Sequence, residues 1–349
     1  MINLDLLEEL CLEPGIPGNE HRVRELIEEH VHGLCDEQFV DPMGNLHCVV
    51  HGRHLDSDVV MLACHMDEIG FIVNYIDDEG FVYVQPLGGF DPRNLFSRRV
   101  TVSHYDALND ETLDYPGVMN PAGLPIHLSK PEDRKNIPAA DEFVIDLGFD
   151  ANEVEISIGD MVTMREPFEI MGNKVVSKAL DNRIACYLGI RVLQDLHLHK
   201  DNKYDTHVVF TVQEEVGLRG AKTAAHIVQP DLAIGVDVTL SCDTPGVPKN
   251  KHVTTQGKGC AIGVRDASFV SDRDMREVLI DLCNINNIDY QEVVSSGGGM
   301  DGAAMQQAGI GCKAIAVSVG TRYIHTVTEM VDMKDLQAAE DLLTAFLSK

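Results

Sequence analysis

Glu214 and Glu215 stand side by side in the stretch TVQEEVGLRGAKTAA, residues 211–225. They follow a β-like run, HVVFTV at 207–212, and precede a Gly-punctuated, Ala-rich segment. Adjacent carboxylates repel one another, and the end of a buried strand is a costly place for two of them. The pair is tolerable if a cation binds one glutamate and the other handles a proton. A dication lowers the pKa of a bound water, and a free carboxylate beside it can take that water's proton. Other residues offer the partners this chemistry needs: His65 and Asp67 in CHMD, Asp181 in ALDNR, Asp237 in IGVDVT and His325 in RYIHT. His65 and Asp67 are two apart on a predicted strand and so share a face. An imidazole ligand normally donates its other N–H to a carboxylate or carbonyl, which makes Asp67 a candidate partner of His65. Each residue alone has an ordinary reading: a surface His-x-Asp, a capping or turn Asp237, a first-turn Asp181, a hydrogen-bonded loop His325. Together, two imidazoles and three carboxylates match the ligand set of a pair of divalent metals bridged by one carboxylate.

Such a set must be delivered by strands and loops. In open α/β sheets, function gathers where the carboxyl ends of strands meet loops. Apolar spacing predicts helices over 3–11 and 20–33, separated by the turn PGIPGNE, then a hairpin around Met43-Gly44-Asn45. The run DVVMLACHMDEIG has the pattern of a central strand that ends in polar residues. From about Phe71 the character changes to short alternating runs split by Gly, Asp and Pro, with no convincing helix before Lys178. Residues 70–170 are therefore expected to form an inserted all-β, barrel-like domain. Residues 1–69 and 171–349 are expected to form a discontinuous layered α/β domain with a mostly parallel or mixed sheet. After the amphipathic helix of KALDNRIACYLGIRVLQDL, the pattern alternates. Strands are predicted at 207–213, 232–237, 258–264, 289–294 and 312–319, and helices at 219–227, 272–286, 302–308 and 333–347. Edge strands left open on the insertion would invite pairing with a second subunit.

The bulk numbers narrow the partners. Net charge is −28 over 349 residues, which repels phosphate backbones and argues against nucleic acid and anionic membranes. Trp is absent, so aromatic platforms for bases or sugars are not expected. No run of 18 apolar residues suggests a membrane span. The opening MINLDLLEELCLEPG lacks the basic start and apolar block of a signal peptide, and the nine cysteines are scattered without a CxxC pair. These features fit a cytoplasmic protein with buried thiols.

The segments ACHMDEIGFIV, KALDNR, VQEEVGLRGA, GVDVT and TRYIHT, in that order, resemble the M42 aminopeptidases of the glutamyl and tetrahedral-particle type, within the co-catalytic dinuclear zinc exopeptidases. The resemblance spans essentially the whole chain, including the insertion and the C-terminal EMVDMKDLQAAEDLL. It implies that His65 and Asp237 hold one metal, Glu215 and His325 the other, and that Asp181 bridges both. Glu214 would be general base and acid, and Asp67 would orient His65. The metals implied are two per subunit, zinc foremost, with cobalt or manganese as alternatives. The implied activity is removal of N-terminal residues from short peptides. The insertion would build dimers that join into a hollow homo-dodecamer. SSGGGMDGAAM, around Asp301, also resembles a family segment. It is no P-loop, because no Gly-Lys-[Ser/Thr] follows. Arg322 and Tyr323, beside His325, are further candidates for substrate contact together with Asp301. Three rivals remain open on the residues: a metal-dependent deacylase, an endoglucanase-like glycosidase and a non-catalytic scaffold.

Overall fold

The computed structural model describes residues 2–54, 56–125, 127–149, 153–199 and 202–348. Helix α1 (Leu4–Leu12) is started by Asn3, whose side-chain oxygen accepts the Leu6 N–H, and it buries Leu6, Leu7 and Leu10. Helix α2 (His21–Val31) buries Val23, Ile27 and Val31, one residue per turn on a single face. Strands β1 (Glu37–Val40) and β2 (Leu46–Val50) pair as the expected hairpin. Its turn is held by Asp41, whose Oδ1 accepts the N–H groups of Met43, Gly44 and Asn45. Strand β3 (Val59–His65) is buried from Val60 onward.

Six antiparallel strands then close a barrel: β4 (Gly70–Ile76), β5 (Val82–Leu87), β6 (Arg98–Asp106), β7 (Glu111–Pro121), β8 (Phe143–Asp146) and β9 (Met161–Met164). The ring runs β4-β5-β8-β7-β6-β9 and encloses its own apolar core, with Phe71, Val84, Val102, Phe143 and Val162 fully buried. Alternation of burial along β8 and within β6 is what a one-sided sheet requires. Closure corrects one expectation. A closed barrel pairs its strands all round and leaves no open edge to recruit a partner strand.

The remaining elements complete the α/β body. They are β10 (Glu169–Met171), β11 (Lys174–Ser177), α3 (Leu180–His199), β12 (Asp205–Thr211), α4 (Arg219–Val228), β13 (Leu232–Leu240), β14 (Cys260–Arg265), α5 (Arg273–Asn286), β15 (Tyr290–Val294), α6 (Asp301–Gln306), β16 (Lys313–Arg322), β17 (Glu329–Asp332) and α7 (Met333–Leu347). Among the described residues, eleven strands form one sheet in the order β1-β2-β12-β3-β13-β16-β17-β11-β10, with β14 and β15 branching from β16. The central strands β12, β3, β13 and β16 are parallel, as is the β14–β15 pair, and the other pairings are antiparallel, so the sheet is mixed. Helix α3 packs on β3 and β13 from one side, joined by α1 and α7, while α4 and α6 cover the other. Burial of α3 along nearly its whole length explains why its sequence is apolar on most faces.

Candidate metal centre and cleft

Parallel pairing in the centre of the sheet sends the carboxyl ends of four strands, β12, β3, β13 and β16, to one edge. His65 ends β3 opposite Thr211, the last residue of β12. Ala63 pairs with Gly235, so two residues further on His65 and Asp237 emerge side by side. Glu214 and Glu215 follow β12 by three and four residues. Asp181 sits where α3 begins, in a non-helical conformation, and His325 lies between β16 and β17 with φ +62°.

Side-chain geometry divides these residues into two groups that share one member. His65, Asp181 and Asp237 have ligand atoms within 4.8 Å of one another, and so do Asp181, Glu215 and His325. Asp181 turns one oxygen to each imidazole: Oδ1 is 3.4 Å from His65 Nε2, and Oδ2 is 3.4 Å from His325 Nε2. Asp237 Oδ1 lies 3.8 Å and Glu214 Oε2 3.9 Å from His65 Nε2, and Glu215 Oε1 lies 3.3 Å from His325 Nε2.

Neighbouring backbone fixes both rings with Nε2 facing inward. His65 Nδ1 is 3.1 Å from the carbonyl of Asp67, and His325 Nδ1 is 2.8 Å from the carbonyl of Gly89. Asp67 thus holds His65 mainly through its backbone. Its fully buried carboxylate accepts the Glu214 N–H at Oδ1 and the Glu215 N–H at Oδ2, each at 3.0 Å. Glu329, 2% exposed, does the same for the other half, accepting the His325 N–H at 2.7 Å and the Asp181 N–H at 2.9 Å. The segment carrying the two glutamates is pinned further. Asn45 accepts the Val212 N–H and donates to the Gly220 carbonyl, and Glu20 accepts the Gln213 N–H. Gly220 is required there, because a Cβ would sit 2.3 Å from Asn45 Oδ1 and 2.4 Å from the Val212 carbonyl.

The electrostatics describe a cluster short of positive charge. Burial pushes the carboxyls of Glu214 and Asp237 well above the usual carboxylate range and raises Glu215 as well, with neighbouring acids adding to the effect. Burial alone would lower both imidazoles. For His65, the Glu214 charge and the contacts with Asp181 and Asp67 outweigh it, and the ring rises well above its ordinary value. For His325, hydrogen bonds and charge from Asp181 and Glu215 push it up to about 12. Burial likewise opposes ionisation of Asp181, but the two imidazoles hold it below the usual range. No Lys or Arg is among the described residues that line the adjoining cleft. Two imidazoles suit zinc or cobalt, and the buried carboxylates accommodate zinc, cobalt or manganese, so these side chains fit the group.

The cleft holds about 570 Å³. One wall is the cluster itself, with Gly89 reaching in from the barrel. The rest of the lining is Gly217, Leu218, Val238, Thr239, Leu240, Asp266, Ser295, the glycines 297–299, Met300 and Ile324. Three residues singled out in the sequence sit elsewhere. Asp301 is 3% exposed beneath the cluster, accepts the Thr211 hydroxyl, and is pushed up to about 6 by burial. Arg322 forms a two-pronged pair with Asp243 at 2.6 and 2.7 Å, and Tyr323 is half exposed. None of the three lines the cleft. Conversely, Glu329, Asn45, Glu20 and the Gly88–Gly89 turn act on the site without having been legible as site residues. Glu329 carries only one hint, its place four residues after His325.

A family model described as M42 glutamyl aminopeptidase matches residues 44–342. A putative aminopeptidase of Acetivibrio thermocellus is 36% identical over 342 residues, 97% of this chain and 96% of that one. An aminopeptidase structure from the archaeon Desulfurococcus kamchatkensis superposes with a TM-score of 0.90 at 32% identity, covering 99% of this chain and 94% of the other. The TET1 peptidase of Pyrococcus horikoshii, which can assemble into a tetrahedron or a large octahedral shell, gives a TM-score of 0.86 at 29% identity, covering 99% of both chains.

Proposed function

The chain belongs to the M42 glutamyl aminopeptidase family of peptide-bond hydrolases, and from that premise we propose that it removes N-terminal residues from short peptides with two divalent metals and Glu214. His65 and Asp237 would hold one metal, Glu215 and His325 the other, and Asp181 both. The observation that carries this reading is the placement of the two Asp181 oxygens, one against each imidazole. When bound, zinc, cobalt or manganese supplies Lewis acidity for the scissile carbonyl and lowers the pKa of water. Glu214 is the proton carrier. It lines the cleft with Oε2 3.9 Å from His65 Nε2 and belongs to neither group of proposed ligands. It takes a proton from the attacking water and returns it to the departing amine. Asp67 keeps Glu214 and Glu215 in register through their backbone N–H groups. The test is elemental analysis of wild type and Asp181→Ala, expected to show two metals and loss of most of both. Two metals in the variant would refute the shared role.

Residues 70–170 are proposed as a dimerisation domain, with dimers joining into a dodecamer in the cytoplasm. Support comes from the shell-forming Pyrococcus relative and from apolar side chains exposed on the barrel, among them Tyr75, Tyr105, Leu108 and Val118. No helix among the described residues is long and apolar enough to cross a membrane. Light scattering behind size exclusion is expected to give a mass of about twelve subunits, and a fully active monomer would overturn the assembly.

A further inference from the structure

Among the described residues, the cleft lining contains one acid that the proposed chemistry leaves unused. Asp266, 8% exposed, lies just beyond β14. Its Oδ1 is saturated, accepting the Ser268 N–H at 2.6 Å, the Ser268 hydroxyl at 2.7 Å and the Phe269 N–H at 2.9 Å. Its Oδ2 is buried and has no hydrogen-bond partner among the described residues. Behind it is a small cavity of about 20 Å³ that shares four wall residues with the cleft: Thr239, Asp266, Ser295 and Met300. Two more unpartnered hydroxyls, on Ser271 and Ser318, belong to residues facing the same cavity.

We propose that Asp266 determines the specificity of the cleft and selects peptides whose N-terminal side chain is positively charged. This rests on the aminopeptidase reading and adds the substrate class to it. A buried carboxylate oxygen that meets no donor is costly to the free protein, so the missing donor is expected from the ligand. A water molecule would fit the small cavity and supply a hydrogen bond, but it supplies no charge. A lysine or arginine side chain supplies both. Apolar atoms of Leu240, Met300 and Ile324 offer contact for an aliphatic stem on the way. An acidic N-terminal side chain would meet like charge at Asp266: the described residues lining the cleft include no Lys or Arg, and Arg265, which lines the small cavity, donates to the Ser295 carbonyl.

Lysine and norleucine p-nitroanilides separate the terms, because the side chains share a four-carbon stem and differ in the terminal ammonium. With metal-loaded wild type, kcat/KM for the lysyl substrate is expected to exceed that for the norleucyl one about 10- to 100-fold, the worth of a hydrogen bond to a charged group. Free L-lysine should also compete better than L-norleucine. In Asp266→Asn, which keeps an acceptor for Ser268 and Phe269, the ratio should fall to within about threefold of one. A wild-type ratio near or below one, a glutamyl preference, or an unchanged ratio in the variant would overturn the proposal while leaving an aminopeptidase. Turnover of no amino-acyl substrate would overturn the aminopeptidase reading and this inference with it.

Discussion

Asp67→Asn tests whether the two glutamates owe their positions to one buried carboxylate. In the wild type, each Asp67 oxygen accepts one N–H, from Glu214 and from Glu215, at 3.0 Å. The substitution keeps one oxygen and turns an amino group toward the other N–H. One bond to a charged acceptor is lost, worth about 1.5–3 kcal/mol, and a buried N–H is left unmatched, costing about 1–3 kcal/mol. The sum, roughly 2.5–6 kcal/mol, is borne by the short segment between β12 and α4. That segment is also held by Asn45 and Glu20, so it shifts while the sheet stays folded. A displacement of about 1 Å at a catalytic group costs about 100-fold in rate. The expected outcome is a fall in kcat of about 10²–10³ on amino-acyl p-nitroanilides, with loss of the metal held by Glu215 ahead of the other. Steady-state kinetics, elemental analysis and a melting curve read the three effects. A folded variant with kcat within about threefold of wild type and full metal content would refute the reasoning, and His65, held through the Asp67 carbonyl, would then account for the burial of Asp67.

Two further predictions address the proton carrier and a second buried acid. Glu214→Gln should keep its metals and its fold but lose about 10²–10⁴ in kcat; a change within about threefold would remove Glu214 from proton transfer. Burial raises Glu20 from 4.5 to about 7, with the Asp67 charge contributing. A carboxyl whose folded pKa lies above its unfolded value stabilises the fold only while protonated. Stability is therefore lost as pH rises from about 4.5 through about 7. Glu20→Gln, which still offers an oxygen to Gly18 and Gln213, should gain on wild type between pH 5 and pH 8 by about 1–3 kcal/mol in urea unfolding. A gap that does not change with pH would contradict the assignment.

The legible parts of this fold are those written in local pattern. Leucines and valines three and four apart marked α1, α2, α5 and α7, and the apolar run before His65 marked β3 as central. The mixed sheet and the barrel-like insertion follow from the same alternation, and the family resemblance stands on segments at the strand ends. What was not legible depends on tertiary placement. Glu329 looks like any acid entering a strand, yet its two oxygens accept N–H groups from residues 148 and 4 positions away. Asp266 has no mark in the sequence, and its Oδ1 serves a turn. Only the fold shows that Oδ2 is left without a donor beside the cleft. Arg322 and Tyr323 adjoin His325 in the sequence, but the chain turns there, with Tyr323 at φ +60° and His325 at +62°. Arg322 then faces Asp243, away from the cleft.

The barrel changes most in meaning once the geometry is known. In the sequence it supplies no ligand, and assembly is the reason left for an insertion of that size. In the structure its β5–β6 connection reaches the candidate metal centre. The Gly89 carbonyl holds His325 Nδ1, and a Cβ on Gly88 would lie 3.3 Å from Glu215 Oε2 and 2.6 Å from an Ile69 methyl. Gly88 also has φ +88°, a conformation that side chains disfavour. The turn is thus shaped so that backbone alone can approach two of the proposed ligands. The ring of His325 is oriented by one body while its chain is anchored by another, through Glu329. A shift of the barrel against the sheet would therefore reach the metal position proposed for Glu215 and His325 through that ring, whatever the barrel contacts on its outer face.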